Sequence, residues 1–384
     1  MAALVAGGVG AVALLGNRGG AGSAAEAVTL LSQDLGSQDY LSAFGRLHPA
    51  EAGLFTDVGD LVVGELQRLD VLRPDADLGS TAGGTTVTDL RFDEAAAEQV
   101  RPDVVITKLV GGTITTDGDP ADIPFTDSFR ALAFPEGLPP AEGPMTVDIA
   151  QVVAEQGEPI RLAAVEVDGS WYVSLFYTAA DYALRDEGLT WPQQSVAPRG
   201  AATPQDALRE TAQAVLDQDA RRIVELAPPG ELSVLHDVGE ALIADAGGTP
   251  SGARIVELET DDVQVRGRPA LFITRVVVED PGGERLTIVR DGDCVTLEAA
   301  GSPQRLCAAD LAQAGGLPID DPLLAPVADL VPDIVQVLLE VKVVTTEVDG
   351  LHHVSPVRTV VGLYGDLFAV IDREDVAALF AAAR

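Results

Sequence analysis

The stretch that decides the fold is EVDGSWYVS, residues 166–174, because it recurs as EVDGLHHVS at residues 347–355. The two stretches lie 181 positions apart, and six of their nine residues are identical. In each, Asp-Gly separates two runs of strand-forming residues. Asp-Gly is typical of a tight hairpin turn because both residues tolerate positive φ. The sequence therefore predicts two copies of one β-hairpin.

A second repeat lies upstream of each hairpin. Residues 38–60 align without gaps with residues 218–240 at an offset of 180, and seven of the 23 positions are identical. A composition this biased would give roughly two identities by chance, so the match indicates duplication. The identical pairs are Gln38/Gln218, Asp39/Asp219, Pro49/Pro229, Glu51/Glu231, Asp57/Asp237, Val58/Val238 and Gly59/Gly239.

A third block lies between these two repeats. Ile106-Thr107-Lys108 aligns with Ile273-Thr274-Arg275 at an offset of 167. The three blocks are collinear, which predicts two homologous units at 24–187 and 204–384. Breaker residues in the stretch between them predict a linker at 188–203.

Each unit has the same predicted layout. Two helices come first, near 24–47 and 51–72 in the first unit and near 204–226 and 231–246 in the second. Runs of β-branched and alternating residues follow, and a helical tail closes each unit. Helices that precede an antiparallel sheet are typical of the α+β class.

This layout and its closing hairpin resemble the nuclear-transport-factor-two-like fold, also called ketosteroid-isomerase-like, and in particular the tethered extracytoplasmic modules of actinobacteria. The resemblance rests on Asp168-Gly169-Ser170-Trp171-Tyr172-Val173-Ser174 and its copy, where His352 and His353 replace the aromatic pair. It implies two cone-shaped units, each with N-terminal helices packed on a curved antiparallel sheet. It also implies a pocket in the cone, for which Trp171, Tyr172, His352 and His353 are candidate lining residues.

The composition excludes several classes of function. Sixty acidic residues against 25 basic ones give a net charge of −35, which disfavours binding to nucleic acid and to anionic membranes. Two Cys and four His leave few ligands for zinc, and the chain contains no phosphate loop, G-x-S-x-G or H-E-x-x-H motif. We therefore assign no catalytic residue, cofactor or metal ligand.

Repeated acids and the histidine pair are the remaining candidates for chemistry. Asp57 and Asp237 lie within predicted helices, and no neighbour that would tune a general base is identifiable, so solvated helix acids or local caps are the simpler interpretation. His352 and His353 are adjacent strand residues that point to opposite faces. One metal ion cannot easily bind both, and we expect one exposed and one packed imidazole.

The N-terminal segment indicates a compartment. Residues 1–16 are uncharged and, as a helix, would span about 24 Å, which is shorter than a hydrocarbon core of about 30 Å. With the Gly/Ala/Ser stretch that follows, they predict an apolar anchor or signal remnant and stalk at 1–23. This places the protein at the cell membrane, on the extracytoplasmic side. The alternative is a low-complexity N-terminus on a cytosolic protein.

The two cysteines predict a disulfide. Cys294 and Cys307 are symmetric about the Ala300–Gly301 bond, and Gly301-Ser302-Pro303 supplies turn residues there. In a hairpin centred on that turn, the two Cys lie opposite each other at about 4.5–5.5 Å between Cα atoms, which suits a disulfide. Two unrelated buried thiols are the alternative.

Two functions from different classes fit these observations. The preferred one is a non-catalytic, tethered extracytoplasmic module that acts in binding or assembly at the cell envelope, with an unidentified protein or a small apolar ligand as partner. The alternative is an enzyme of isomerase or hydrolase type that uses one cone pocket on a small apolar substrate.

Overall fold

The computed structural model describes residues 20–77, 79, 84–141, 143–246, 248–299, 301–314 and 325–382. The apolar run at 1–16, on which the predicted anchor depends, lies outside the described residues. The chain divides into two compact units, Met1–Gln193 and Gln194–Arg384. The division lies inside the predicted linker. The fold mixes helices with a strongly curled antiparallel sheet, a half-barrel.

The first unit begins with three helices and continues through a sheet to a last helix. Its elements, in chain order, are α1 Ala24–Gly36, α2 Tyr40–Gly45, α3 Pro49–Arg68, β1 Thr85–Phe92, β2 Glu98–Arg101, β3 Val104–Thr116, α4 Asp127–Ala133, β4 Met145–Asp148, α5 Ile149–Gln156, β5 Ile160–Val167, β6 Ser170–Ser174 and α6 Leu175–Asp186. The sheet order is β1-β3-β5-β6, and β2 and β4 also pair with β3.

The second unit follows the same sequence of helices, sheet and last helix, with additional elements before its closing hairpin. Its elements are α7 Pro204–Leu216, α8 Ala220–Leu226, α9 Ser233–Asp245, β7 Arg254–Val265, β8 Arg268–Glu279, β9 Arg285–Asp291, β10 Cys294–Ala299, β11 Ser302–Cys307, α10 Ala308–Ala314, α11 Val331–Leu339, β12 Lys342–Val348, β13 Leu351–Val354, α12 Pro356–Ala369 and α13 Arg373–Ala382. The sheet order is β11-β10-β9-β8-β12-β13, and β7 pairs with β8.

The disulfide prediction is confirmed. Cys294 and Cys307 are directly opposite in the β10–β11 hairpin and are covalently linked, with 4.0 Å between their Cα atoms. The next pair outward is hydrogen-bonded, because the Ala308 N–H donates to the Asp293 carbonyl. The two Cys therefore occupy a non-hydrogen-bonded position of the ladder, where opposed Cα atoms approach most closely.

The first predicted helix of each unit is broken in two, which corrects the sequence-based boundaries. Gln38 and Gln218 adopt left-handed backbone conformations, with φ of 59° and 52°, and such residues end a helix. The residue after each, Asp39 or Asp219, then accepts a backbone N–H and caps the next helix. The repeated Gln-Asp dipeptide therefore encodes a helix break.

The structure contradicts the alignment of the third block, because the residues that correspond in the second unit lie three positions earlier than the sequence predicts. Ile106 pairs with Ala163 in the first unit, and Ala270 pairs with Val344 in the second. Ala163 and Val344 correspond, because each donates its N–H to the threonine in the first turn of the helix after the closing hairpin, α6 or α12. Ile106 therefore corresponds to Ala270, not to Ile273. A slip of an odd number of residues turns side chains to the opposite face of the sheet, so the predicted match of Lys108 with Arg275 is wrong.

Candidate functional site

The four predicted pocket residues lie on the closing hairpins and divide between two faces of the sheet. Trp171 and His352 each form a backbone bridge to the residue three positions before the first helix of the unit, Ala21 or Ala201. Trp171 is half-buried against the apolar cluster beneath α1. Their strand neighbours Tyr172 and His353 are buried.

Of the expected pair of one exposed and one packed imidazole, the packed one is His353, which is 1% exposed. The other half of the expectation is wrong, because His352 is half-buried. Tyr172 and His353 each pack closely against a glycine, Gly20 in the first unit and Gly200 in the second. A Cβ at Gly20 would lie 2.8 Å from the Tyr172 hydroxyl, and a Cβ at Gly200 would lie 2.7 Å from His353 Nε2. These approaches are closer than van der Waals contact, so both hairpins pack directly on the backbone of the entering chain. Their lining of a pocket stays a prediction.

A buried glutamate joins the helical layer to the last helix in the first unit. Glu51, in the first turn of α3, is 1% exposed. Its carboxylate accepts hydrogen bonds from the Ser174 hydroxyl and from the Leu175 and Phe176 N–H groups, the latter two at 2.7 and 3.3 Å. Ser174 in turn accepts from the Tyr177 N–H at 3.0 Å. The first donors of α6, which have no partner within the helix, are thereby satisfied.

Burial is the largest influence on this carboxylate and raises the pKa of Glu51, although the hydrogen bonds from Ser174 and the helix act in the opposite direction. No cation forms an ion pair with Glu51 among the residues that the structure describes. A group with a raised pKa is a reasonable candidate for acid–base work. Here, however, both oxygens already accept hydrogen bonds, and the arrangement is that of a helix cap.

The second unit repeats this arrangement with different chemistry. Glu231 accepts from the Ser355 hydroxyl at 2.7 and 2.9 Å, and Ser355 caps α12 through the Arg358 N–H. Pro356 stands where Leu175 stands in the first unit and has no N–H to donate. The Arg358 guanidinium lies 3.6 Å from Glu231 instead. Sequence reasoning missed both pairs as sites, although all four residues are identities of the repeat.

Four charged side chains between the sheet and α6 form the ionic cluster of the first unit: Glu98, Lys108, Arg161 and Asp181. Arg161 donates to both Asp181 oxygens and to both Glu98 oxygens. The Lys108 ammonium lies 2.8 Å from Glu98. Hydrogen bonds from Arg161, followed by those from Lys108, lower the pKa of Glu98 to about 2.

The ionic cluster also holds the segment that follows α6. The Trp191 indole N–H donates to Asp181 at 2.9 Å, and its ring stacks on Tyr177 with 6.0 Å between centroids. Arg101 donates to the Pro192 carbonyl at 2.8 Å. Two cations and two carboxylates are mutually paired, which is an arrangement typical of a structural cluster.

A buried histidine in the second unit was not singled out from the sequence. His236, on α9, is 5% exposed, and its two ring nitrogens lie 2.9 Å from the Val196 carbonyl and 3.0 Å from the Ala227 carbonyl. The neighbouring Asp237, expected as a solvated acid, is instead 8% exposed and accepts from the Ser195 hydroxyl at 2.6 Å. The expectation was wrong because the segment before α7 covers this face of α9.

Within the described part of the chain, no group of three or more His, Cys, Asp and Glu side chains is placed to hold a metal ion. A search of the same residues finds no helix with the length and apolarity required to cross a bilayer. No family model matches this sequence, and neither a curated protein nor a solved structure is significantly similar to it.

Proposed function

We propose that this chain is a non-catalytic binding or assembly module of the cell envelope, tethered by its N-terminal segment on the extracytoplasmic side of the membrane. The observation that carries the proposal is the Cys294–Cys307 disulfide. Disulfides form and persist in oxidising compartments and are rare in the cytosol. The apolar run at 1–16, with a Gly/Ala/Ser stretch after it, supplies the tether.

We further propose that the two units are homologous and nuclear-transport-factor-two-like. In support, each unit has a helix pair broken at a left-handed glutamine and a glycine packed on the closing hairpin. In each, a buried Glu–Ser pair, Glu51–Ser174 or Glu231–Ser355, also fastens the helix that follows the closing hairpin. The glycine contacts and the Glu–Ser pairs join positions more than 120 residues apart in sequence, which local composition alone does not produce.

The buried titratable groups favour a binding function over a catalytic one, because each of them has a structural role. Glu51 caps a helix, Asp181 neutralises Arg161, and His236 lies on two backbone carbonyls. An isomerase- or hydrolase-type enzyme acting on a small apolar substrate is the alternative, and it needs a buried acid or base with a free position toward the substrate. Glu51 comes nearest to that requirement because burial raises its pKa.

The test is fractionation of cells that express the full-length gene, with a matched variant that lacks residues 1–19. We expect the full-length protein in the membrane fraction, protected from thiol reagents when denatured without reductant and degraded by protease added outside the cytoplasm. The shortened variant should lose the membrane association. Recovery of the whole protein in the soluble cytosol, with two free thiols, would reject the proposal.

The binding role is tested separately by chemical cross-linking in intact cells. A module of this kind should yield an adduct with an envelope protein, and the adduct should depend on residues 1–19. If purified protein instead turns over a small apolar substrate and Glu51→Gln abolishes the turnover with the fold intact, the enzyme alternative replaces the proposal.

A further inference from the structure

The C-terminal end of α8 is attached to the closing hairpin differently from the corresponding helix of the first unit. In the first unit the attachment is made by the backbone. The His48 N–H donates to the Val173 carbonyl at 2.8 Å, and the Val173 N–H donates to the Arg46 carbonyl at 3.0 Å. These two bonds form a parallel bridge between the end of α2 and β6.

In the second unit, two imidazole side chains stand where the first unit has this backbone bridge. Pro228 stands where His48 stands and has no N–H to donate. His353 Nδ1 lies 3.0 Å from the Leu226 carbonyl, and His236 Nε2 lies 3.0 Å from the Ala227 carbonyl. Two side chains, one from β13 and one from α9, therefore contact the carbonyls at the C-terminal end of α8, where helix carbonyls have no partner within the helix.

The protonation state of these rings decides how many hydrogen bonds they donate. Both nitrogens of His236 face carbonyl oxygens, and a neutral imidazole has only one N–H. Only the imidazolium donates to both carbonyls. His353 needs one N–H for the Leu226 carbonyl, and its other nitrogen faces the backbone at Gly200.

We propose that His236 and His353 form an acid-sensitive latch, which holds α8 and α9 to β13 while at least one ring is neutral and releases them when both rings are charged. Two adjacent imidazolium ions in a buried site repel each other and lose their hydration, so the closed arrangement opposes the second proton.

The surrounding charges do not offset this repulsion. Burial is the largest influence and lowers the pKa of His353. The hydrogen bonds to the Leu226 and Ala227 carbonyls act in the opposite direction, and the charges of His236 and His352 lower the pKa further. The carboxylates on the neighbouring elements have other partners: Glu231 is held by Ser355 and Arg358, Asp237 by Ser195, and Glu225 by Arg222. None of these acids is hydrogen-bonded to either ring.

The direction of the pH effect follows from the lowered pKa of His353. The unfolded chain binds its proton near pH 6.5, whereas the closed latch binds it only at lower pH. The latch therefore contributes stability above about pH 6.5, and this stability falls as the pH drops toward the lowered value. Within that pH window, uptake of one proton increases the equilibrium constant for opening the latch about tenfold for each unit by which the pH falls.

The test is amide hydrogen exchange of the full chain between pH 7.5 and 4.5, corrected for the intrinsic exchange rate. We expect protection of peptides covering 222–236 and 351–355 to fall by up to about tenfold per pH unit below pH 6.5. His353→Asn keeps a donor near the Nδ1 position without titrating, so its profile should be flat. The matched control, His352→Asn on the same strand, should retain the wild-type profile.

A second variant keeps the test independent of how well His353→Asn folds. His236→Gln removes the neighbouring charge, which brings the pKa of His353 closer to its ordinary value, so it should weaken the pH dependence without abolishing it. A wild-type profile with no loss of protection in these two segments would overturn the proposal, and so would an unchanged loss in both His236→Gln and His353→Asn.

Discussion

Charged residues lie between the sheet and the last helix in the first unit, whereas the corresponding positions of the second unit are largely apolar. Lys108 corresponds to Phe272 and Asp181 to Gly362, where a Cβ would lie 2.6 Å from Val265. Val265, Ala270 and Val344 form an apolar cluster there. Similar backbone arrangements thus accept either a paired ionic cluster or close apolar packing, provided that the buried groups are mutually satisfied.

Arg161 illustrates the conditions under which charges are tolerated in such a site. Burial opposes its charge, but Asp181 and Glu98 outweigh burial and raise the pKa of the guanidinium above its ordinary value. In the second unit the corresponding Lys342 is more exposed and pairs with Asp366 at 2.7 Å. The comparison predicts that loss of one partner matters far more in the first unit.

The largest effect is expected from Asp181→Ala. This change leaves the buried Arg161 without its closest partner and should lower the free energy of unfolding by about 3–5 kcal/mol. The matched change in the second unit, Asp366→Ala, removes a partly exposed ion pair and should alter it by less than about 1 kcal/mol. Both tryptophans, Trp171 and Trp191, lie in the first unit, so tryptophan fluorescence during urea unfolding measures the effect of Asp181→Ala, and circular dichroism of the full chain measures that of Asp366→Ala. Equal effects of the two changes would contradict the comparison.

Loss of the disulfide should affect the second unit alone. The double change Cys294→Ser and Cys307→Ser removes a cross-link that spans 13 positions, which is worth about 3 kcal/mol in the chain-entropy model. Circular dichroism of the full chain should show an earlier unfolding transition, while the tryptophan fluorescence transition stays where it is. A shift of the fluorescence transition by the same amount would show that the units do not unfold independently.

The serine caps should differ between the units by a smaller amount. Ser174→Ala removes a donor to the buried Glu51 and the acceptor for the Tyr177 N–H, and should reduce stability by about 2 kcal/mol. Ser355→Ala should cost about 1 kcal/mol, because Arg358 still faces Glu231. Urea unfolding followed by fluorescence and by circular dichroism measures the two, with Ser170→Ala as the control on β6. A larger loss of stability from Ser355→Ala than from Ser174→Ala would contradict this prediction.

The smallest effect is a pH dependence at Glu51. Because its folded-state pKa is raised above 4.5, Glu51 favours the folded state most below pH 4.5, and this contribution is lost as the pH rises through the raised value. The side chain of the Glu51→Gln variant does not titrate. The wild type should therefore lose stability relative to the variant as the pH rises through that window. Unfolding followed by fluorescence from pH 4 to 8 measures it. A constant difference across this range would indicate that the carboxylate does not titrate there.

Local patterns predicted several parts of the fold. The Asp-Gly turn of each closing hairpin has left-handed residues at Asp168 and Asp349. The alignment of the third block failed because short β-branched segments resemble one another at several registers, and cross-strand partners decide among them.

The sequence by itself determined the repeat, the order of helices before strands, and the disulfide, because each depends on residues that are near one another or on a simple symmetry about a turn. Only the tertiary structure decided which polar residues are buried together. Glu51 meets Ser174, and His353 meets Leu226, across separations of 123 and 127 residues. No spacing rule links such positions, since their contact depends on how helices pack against a curled sheet, and burial then determines their protonation and partners.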